Sequence, residues 1–259
     1  MADRVLYQVE DRVATVTMSL PDKLNAMDRQ TFEELRRAAA RAAEDPDVGA
    51  VVVTGAGRAF SSGLDLAEFA GMAEVDHADT VIGELQRAIG AFELLPKPVV
   101  AAVNGLAVGG GLQLAIACDL RLAAASAQFA SWEMRWAIVP DLGGTERLPR
   151  LIGLGRAKEL VFTGRQVGAA EAEQIGLVNR VVPDADLALA AAELAAGLAS
   201  GPTLALGMAK QLLNEAFDRG VGEGLSAARR AQRLTLASAD HREARAAFAE
   251  RRPPRFSGR

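Results

Sequence analysis

From Val99 to Cys118 the chain carries no charged side chain, a run long enough to cross a bilayer. Its interior points instead to the buried centre of a globular protein. Asn104 and Gln113 are polar, and Gly105, Gly109, Gly110 and Gly111 interrupt the run. Val99–Val103 reads as a buried strand, Gly105–Gly111 as a turn and Leu112–Cys118 as a buried helix. The 259 residues provide enough chain to enclose such a piece, as one large domain or two small ones, with no need of a disulfide or a metal.

The flanking segments agree with that expectation. Val5, Tyr7 and Val9 alternate, as do Val13, Thr15 and Thr17, and Glu10-Asp11 between them predicts a hairpin. Asp28 is a candidate N-cap for a helix running to about Ala43, with Phe32, Leu35 and Ala39 on one face. Ala50–Thr54 is a short apolar strand ending in Gly55-Ala56-Gly57. Strand, helix, strand is the order of a parallel βαβ unit, so the fold class is α/β. Residues 76–95 read as a helix stopped by Pro96 and Pro98, and Leu120–Ala123 and Val178–Val182 as further strands. Asp184–Ser200 is helical, Leu204, Met208 and Leu212 recur at helical spacing, and helices are expected near 222–238 and 240–250. An α/β part over residues 1–190 is thus followed by a helical part over 191–259. The closing helices are rich in alanine and arginine, a composition suited to packing in an oligomer.

Several function classes are disfavoured. A net charge of −4 argues against broad nucleic-acid binding, which needs basic surface. One cysteine, Cys118, excludes an intrachain disulfide and fits a cytoplasmic protein. The start lacks the apolar segment of a secretory signal, and no membrane association is expected. Two histidines, His77 and His241, leave little for a histidine-rich metal site or a Ser-His-acid triad, so no metal is expected. The Gly105–Gly111 turn has neither the lysine of a P-loop nor the glycine spacing of a dinucleotide fingerprint.

Two glycine-rich turns follow apolar strands, Ala59-Phe60-Ser61-Ser62-Gly63-Leu64-Asp65-Leu66 and Asn104–Gly111, each ahead of a helix. Helix starts leave N–H groups unpaired, and glycine admits close approach. Facing each other, two such N–H groups form an oxyanion hole for a thioester enolate; apart, they are only tight turns. Glu133 and Asp141 sit in the apolar stretch Trp132–Thr145, where a carboxylate suits proton transfer. The plainer alternatives are a solvated Glu133 and an Asp141 that caps the helix after Gly143-Gly144.

Taken in order, Leu24-Asn25-Ala26-Met27, Phe60–Leu66, Pro96–Gly105, Gly109–Leu114, Cys118-Asp119, Gly143–Arg150, Thr163-Gly164, Gly176–Val178 and Phe248–Pro253 resemble the crotonase superfamily, the enoyl-CoA hydratase/isomerase family. The resemblance implies a spiral of ββα turns followed by a helical C-terminal region that packs trimers or dimers of trimers and closes the CoA site. It implies an acyl-CoA substrate and no cofactor beyond its coenzyme A moiety. By position, the hole uses the N–H groups of Leu64 and Gly110. Ser62, Leu64, Asp65 and Leu66 belong to the CoA site, with Lys23 and Arg58 candidates for its phosphates. Phe248 and Arg252 are expected to reach the CoA of a neighbouring subunit, and Trp132, Met134 and Trp136 to border the acyl pocket.

The resemblance names the family more firmly than the reaction. Family hydratases use two glutamates; Glu133 matches the second, while Gln113 stands at the first. Gln113 can position water or substrate by hydrogen bonds but cannot take a proton. Asp141, eight residues beyond Glu133, is similar to the second acid of family dienoyl-CoA isomerases. The expected reaction is therefore a double-bond shift with Glu133 and Asp141 as catalytic acids. Hydration of a trans-2-enoyl-CoA, thioester hydrolysis, noncatalytic CoA binding and RNA binding are the alternatives.

Overall fold

The computed structural model describes residues 3–69 and 75–259. The alternating first segments pair as an antiparallel hairpin of β1 (Val5–Glu10) and β2 (Val13–Met18). The turn falls one residue later than expected, on Asp11 and Arg12, both at positive φ, while Glu10 pairs with Val13. Asp28 caps α1 (Arg29–Glu44), its carboxylate accepting from the Thr31 N–H at 2.8 Å, and Phe32, Leu35 and Ala39 are buried. β3 (Ala50–Gly55) then runs parallel to β2.

From β3 onward one pattern repeats: a strand in a six-stranded sheet, a shorter strand in a four-stranded sheet, then helix. The first turn holds β4 (Ala59–Ser61), α2 (Leu66–Phe69) and α3 (Val75–Leu94). The second holds β5 (Val99–Val103), β6 (Leu106–Val108) and α4 (Gly110–Ala117). The third holds β7 (Leu120–Ala124), β8 (Gln128–Ala130), α5 (Gly144–Ile152) and α6 (Leu154–Thr163). β9 (Val167–Gly168), α7 (Ala169–Gln174) and β10 (Arg180–Val182) complete both sheets. Their orders are β1-β2-β3-β5-β7-β10 and β4-β6-β8-β9. Both glycine-rich "turns" of the sequence thus contain a three-residue strand, too short to announce itself by alternation.

The uncharged run folds as β5, β6 and α4. Every residue of β5 and α4 is buried, and Gln113 is the one polar side chain of α4. No single helix among the described residues is long and apolar enough to cross a membrane.

The C-terminal elements are α8 (Leu187–Ala199), α9 (Thr203–Asn214), α10 (Val221–Ala237) and α11 (Ala239–Glu250). Leu187, Ala191, Ala195 and Ala199 are the buried face of α8, so the division between residues 190 and 191 falls within a helix. On α9 the buried residues are Thr203, Gly207 and Lys210, whereas Leu204, Met208 and Leu212 are half-buried.

Two buried lysines tie helices together. Lys97 Nζ donates to the Ala42 and Asp45 carbonyls at the end of α1, each at 2.6 Å, and burial lowers its pKa. Lys210 Nζ donates to the Phe92 carbonyl of α3 at 2.8 Å and pairs with Asp119 at 2.8 Å. Burial raises the Asp119 pKa, and Lys210 pulls it back down. Breaking a buried pair on one side leaves an uncompensated charge. Lys210→Met is therefore expected to cost about 2–4 kcal/mol in urea unfolding, below the fully buried limit because Asp119 keeps 23% of its side-chain surface. Adding Asp119→Asn should restore part of that loss.

Candidate active site

The loop after β4 is backed by the Leu24–Met27 segment. The Met27 N–H donates to the Gly63 carbonyl at 2.8 Å, the Asp65 N–H donates to the Met27 carbonyl at 2.9 Å, and the Ser62 N–H donates to the Leu24 carbonyl at 2.9 Å. Met27 and Leu64 thus form a parallel bridge. N–H groups alternate sides in such a bridge, so that of Leu64 faces away from Met27. The second N–H, that of Gly110, opens α4 and is one of its unpaired first-turn donors. Neither finds an acceptor among the described residues.

Glycine brings the two turns into contact. Gly63 has φ +88, and a Cβ there would lie 3.1 Å from the Gly110 nitrogen and 2.9 Å from the Val108 carbonyl oxygen. A side chain at Gly63 therefore meets both a conformational and a steric barrier. Asn25 fixes the region behind. Buried and at positive φ, it donates from Nδ2 to the Ala56 and Ala59 carbonyls and accepts the Leu20 N–H at Oδ1. Asn104 Nδ2 donates to the Gly55 and Gly57 carbonyls from the other side.

Glu133 starts the 3-10 turn Glu133–Trp136 and is 6% exposed, which excludes the solvated alternative. Its Oε1 accepts from Gln113 Nε2 at 2.8 Å, and its Oε2 accepts from Ser131 Oγ at 2.6 Å. Gln113 Oε1 in turn accepts the Gly144 N–H at 2.9 Å. A Cβ on Gly109 would lie 3.6 Å from Glu133 Oε1, so this carboxylate stands beside the turn that offers the Gly110 N–H.

Asp141 does not cap α5. The N-cap is Gly143, with no side-chain cap bond, and the Asp141 carbonyl accepts from Gln86 Nε2 of α3 at 2.7 Å. Asp141 lines a cleft of about 410 Å³ with Gln86, Val139, Leu142 and Arg147, a set that does not include Glu133. Burial raises its pKa, opposed by a bond from its own backbone N–H.

Of the CoA candidates, Lys23 pairs with Asp65 at 2.8 Å beside the Leu64 loop, which raises the lysine pKa. Ser62 Oγ donates to the Lys23 carbonyl at 3.4 Å, and Leu66 and Arg58 are exposed. Phe248 is 87% exposed, and Arg252 pairs with Glu243 at 2.6 Å. That pair holds the Glu243 carboxyl down at about 2. Trp132 is half-buried under the Arg135 guanidinium, 4.4 Å from its ring centroid, while Met134 and Trp136 are exposed. Cys118 is buried and its thiol is pushed up to about 12 by desolvation, so it offers no nucleophile. Among the described residues no group of three or more His, Cys, Asp or Glu could hold a metal.

The family model for enoyl-CoA hydratase/isomerase matches residues 8–259. The chain belongs to that family. A Mycobacterium bovis protein named "Probable enoyl-CoA hydratase echA8" is 38% identical over 257 residues, covering 99% of each chain. The short-chain-enoyl-CoA hydratase of Clostridium acetobutylicum is 36% identical, covering 96% of each. The crystal structure of an enoyl-CoA hydratase from Bacillus anthracis superposes with a TM-score of 0.94 at 37% identity, covering 99% of this chain and 100% of that one. The fold is the crotonase fold, and acyl-CoA chemistry follows at the level of the enoyl-CoA hydratase/isomerase family.

The sequence alone assigned Asn25, Asn104 and Ser131 no part in the site. The two asparagines carried a signal, as polar residues set in apolar surroundings, which fold only with hydrogen-bond partners.

Two outcomes follow from this geometry. Gly63→Ala should lower kcat/KM at least about 100-fold in a steady-state assay, the scale of losing one oxyanion donor. Asp141 has a folded-state pKa above its unfolded one, so its ionisation costs stability above that window. Asp141→Asn should therefore melt higher than the parent near pH 7, with the difference shrinking as pH falls through the carboxylate range.

Proposed function

We propose that this family member shifts a carbon–carbon double bond in an enoyl- or dienoyl-CoA, with Glu133 carrying the proton. The supporting observation is the direct Gln113–Glu133 hydrogen bond. An amide donates there where a second carboxylate would help to deprotonate water, and it occupies the space of a water bridging the two side chains.

The thioester oxygen sits between the N–H groups of Leu64 and Gly110. Glu133 takes a proton from the α carbon of a 3-enoyl group. The C–H electron pair becomes a dienolate whose charge rests on the thioester oxygen, where the two N–H dipoles stabilise it. Return of the proton at the γ carbon moves the double bond to the 2,3 position, with no atom gained or lost. Asp141 serves as the second acid when the proton moves farther, as in a 3,5-diene, and its raised pKa keeps more of it protonated.

Lys23, Arg58, Ser62, Leu64, Asp65 and Leu66 hold the CoA portion, and Trp132, Met134 and Trp136 border the acyl chain. The chain works as a trimer or dimer of trimers. The exposed Leu213, Phe217, Val221 and Phe248 on and between the C-terminal helices support that reading. In it, Phe248 and Arg252 close a neighbour's CoA site.

Hydration is the second reading, favoured by relatives whose names say hydratase. Mass spectrometry of trans-2-enoyl, 3-enoyl and 3,5-dienoyl-CoA incubated with the enzyme in D₂O separates the two. The expected product is a double-bond isomer, separated by chromatography, with no added water, and Glu133→Gln lowers its formation about 10²–10⁴-fold. A product heavier by one water, formed at a comparable rate, would make the enzyme a hydratase.

A further inference from the structure

Glu133 has three rotatable side-chain bonds, yet proton transfer between two carbons needs one of its oxygens held at a fixed place. The two oxygens stand in different surroundings. Oε1 accepts from Gln113 and faces the turn before α4, where a Cβ on Gly109 would lie 3.6 Å from it. Among the described residues Oε2 accepts from Ser131 Oγ alone, at 2.6 Å. Ser131 directly follows β8 and is 1% exposed, so its hydroxyl is anchored to the sheet and has little rotamer freedom. The Gln113 amide is likewise fixed in its sense. The Gly144 N–H donates to its Oε1, so its Nε2 must be the group that faces Glu133.

We propose that Ser131 is a positioning residue for the reaction. Its hydroxyl holds Glu133 Oε2 and so presents Oε1, the oxygen that faces the turn before α4, to the proton being moved. The inference rests on the reading in which Glu133 carries that proton. Ser131 touches no reacting atom and acts through Glu133 alone. The assignment also explains why a hydroxyl occurs at the end of a strand whose last two residues, Phe129 and Ala130, are buried and apolar. An apolar residue there would leave a carboxylate oxygen buried without a donor.

The test is a steady-state comparison of Ser131→Ala, Ser131→Thr, Glu133→Gln and the Ser131→Ala/Glu133→Gln double variant, on the acyl-CoA that the parent enzyme turns over. The account expects Ser131→Ala to lower kcat about 10- to 100-fold while KM stays within about twofold, the scale of a displaced reacting group. Ser131→Thr, which keeps the hydroxyl, should recover most of kcat. In the Glu133→Gln background the alanine substitution should cost nothing further, because the two residues act as a unit. A melting curve for each variant separates these effects from loss of fold. A full-strength Ser131→Ala enzyme, or an equal further loss in the Glu133→Gln background, would overturn the positioning role while leaving Glu133 as the base. Parent-level activity in Glu133→Gln would overturn both this inference and the reading beneath it.

Discussion

The contact between the loop after β4 and the start of α4 is the constraint on which the site depends. An oxyanion hole needs two backbone donors close together and unsatisfied by the protein, and most folds avoid that arrangement because unpaired N–H groups are costly. Here the cost is met locally. Gly63 removes the side chain that would hold the two turns apart, and its φ of +88 sends the chain back across Met27. The bridge to Met27 uses the N–H groups on its own side and leaves that of Leu64 facing the other way. The start of α4 supplies Gly110 without further arrangement, since first-turn donors have no intrahelical partner and Gly109 has no side chain to cap them. Behind this contact, the Asn25 and Asn104 amides donate to the carbonyls of Gly55, Ala56, Gly57 and Ala59, which ties the loop to both segments.

The same burial shapes the electrostatics. β5 and α4 form an apolar floor, so hydrogen bonds above it act in a low dielectric and weigh more than at the surface. Glu133 is held there by two neutral donors, an amide and a hydroxyl. Arg135, Arg147 and Lys23 are engaged with the Gly164 carbonyl, Glu93 and Asp65 respectively. The two donors fix the orientation of the Glu133 carboxylate.

Much of the fold was legible because its longer elements follow simple periodicities. Alternation marked β1 and β2, Asp28 marked the start of α1, and Pro96 marked the end of the α3 helix. The short strands β4, β6 and β8 escaped, since three residues cannot establish a period of two and their pairing is fixed by partners remote in sequence. The buried face of α9 could not be assigned from the sequence for a similar reason. Gly207 lies against Pro96 and Lys210 reaches the Phe92 carbonyl of α3, so tertiary contacts override the Leu204–Met208–Leu212 stripe. At the site, Glu133 and the two glycine turns could be found from their sequence context. Ser131 could not, because a serine at a strand end carries no pattern, and only the fold brings its hydroxyl to a carboxylate two residues away.

The central claim is that the Leu64 and Gly110 N–H groups jointly polarise the thioester carbonyl of a bound acyl-CoA. The vibrational frequency of that carbonyl, isolated by ¹³C labelling and read by difference infrared or Raman spectroscopy, reports the polarisation directly. The account predicts a clear downshift on binding to the parent enzyme, retained in Glu133→Gln, whose base is gone but whose donors remain. A carbonyl bound at its solution frequency would mean that the two turns meet without forming an oxyanion hole.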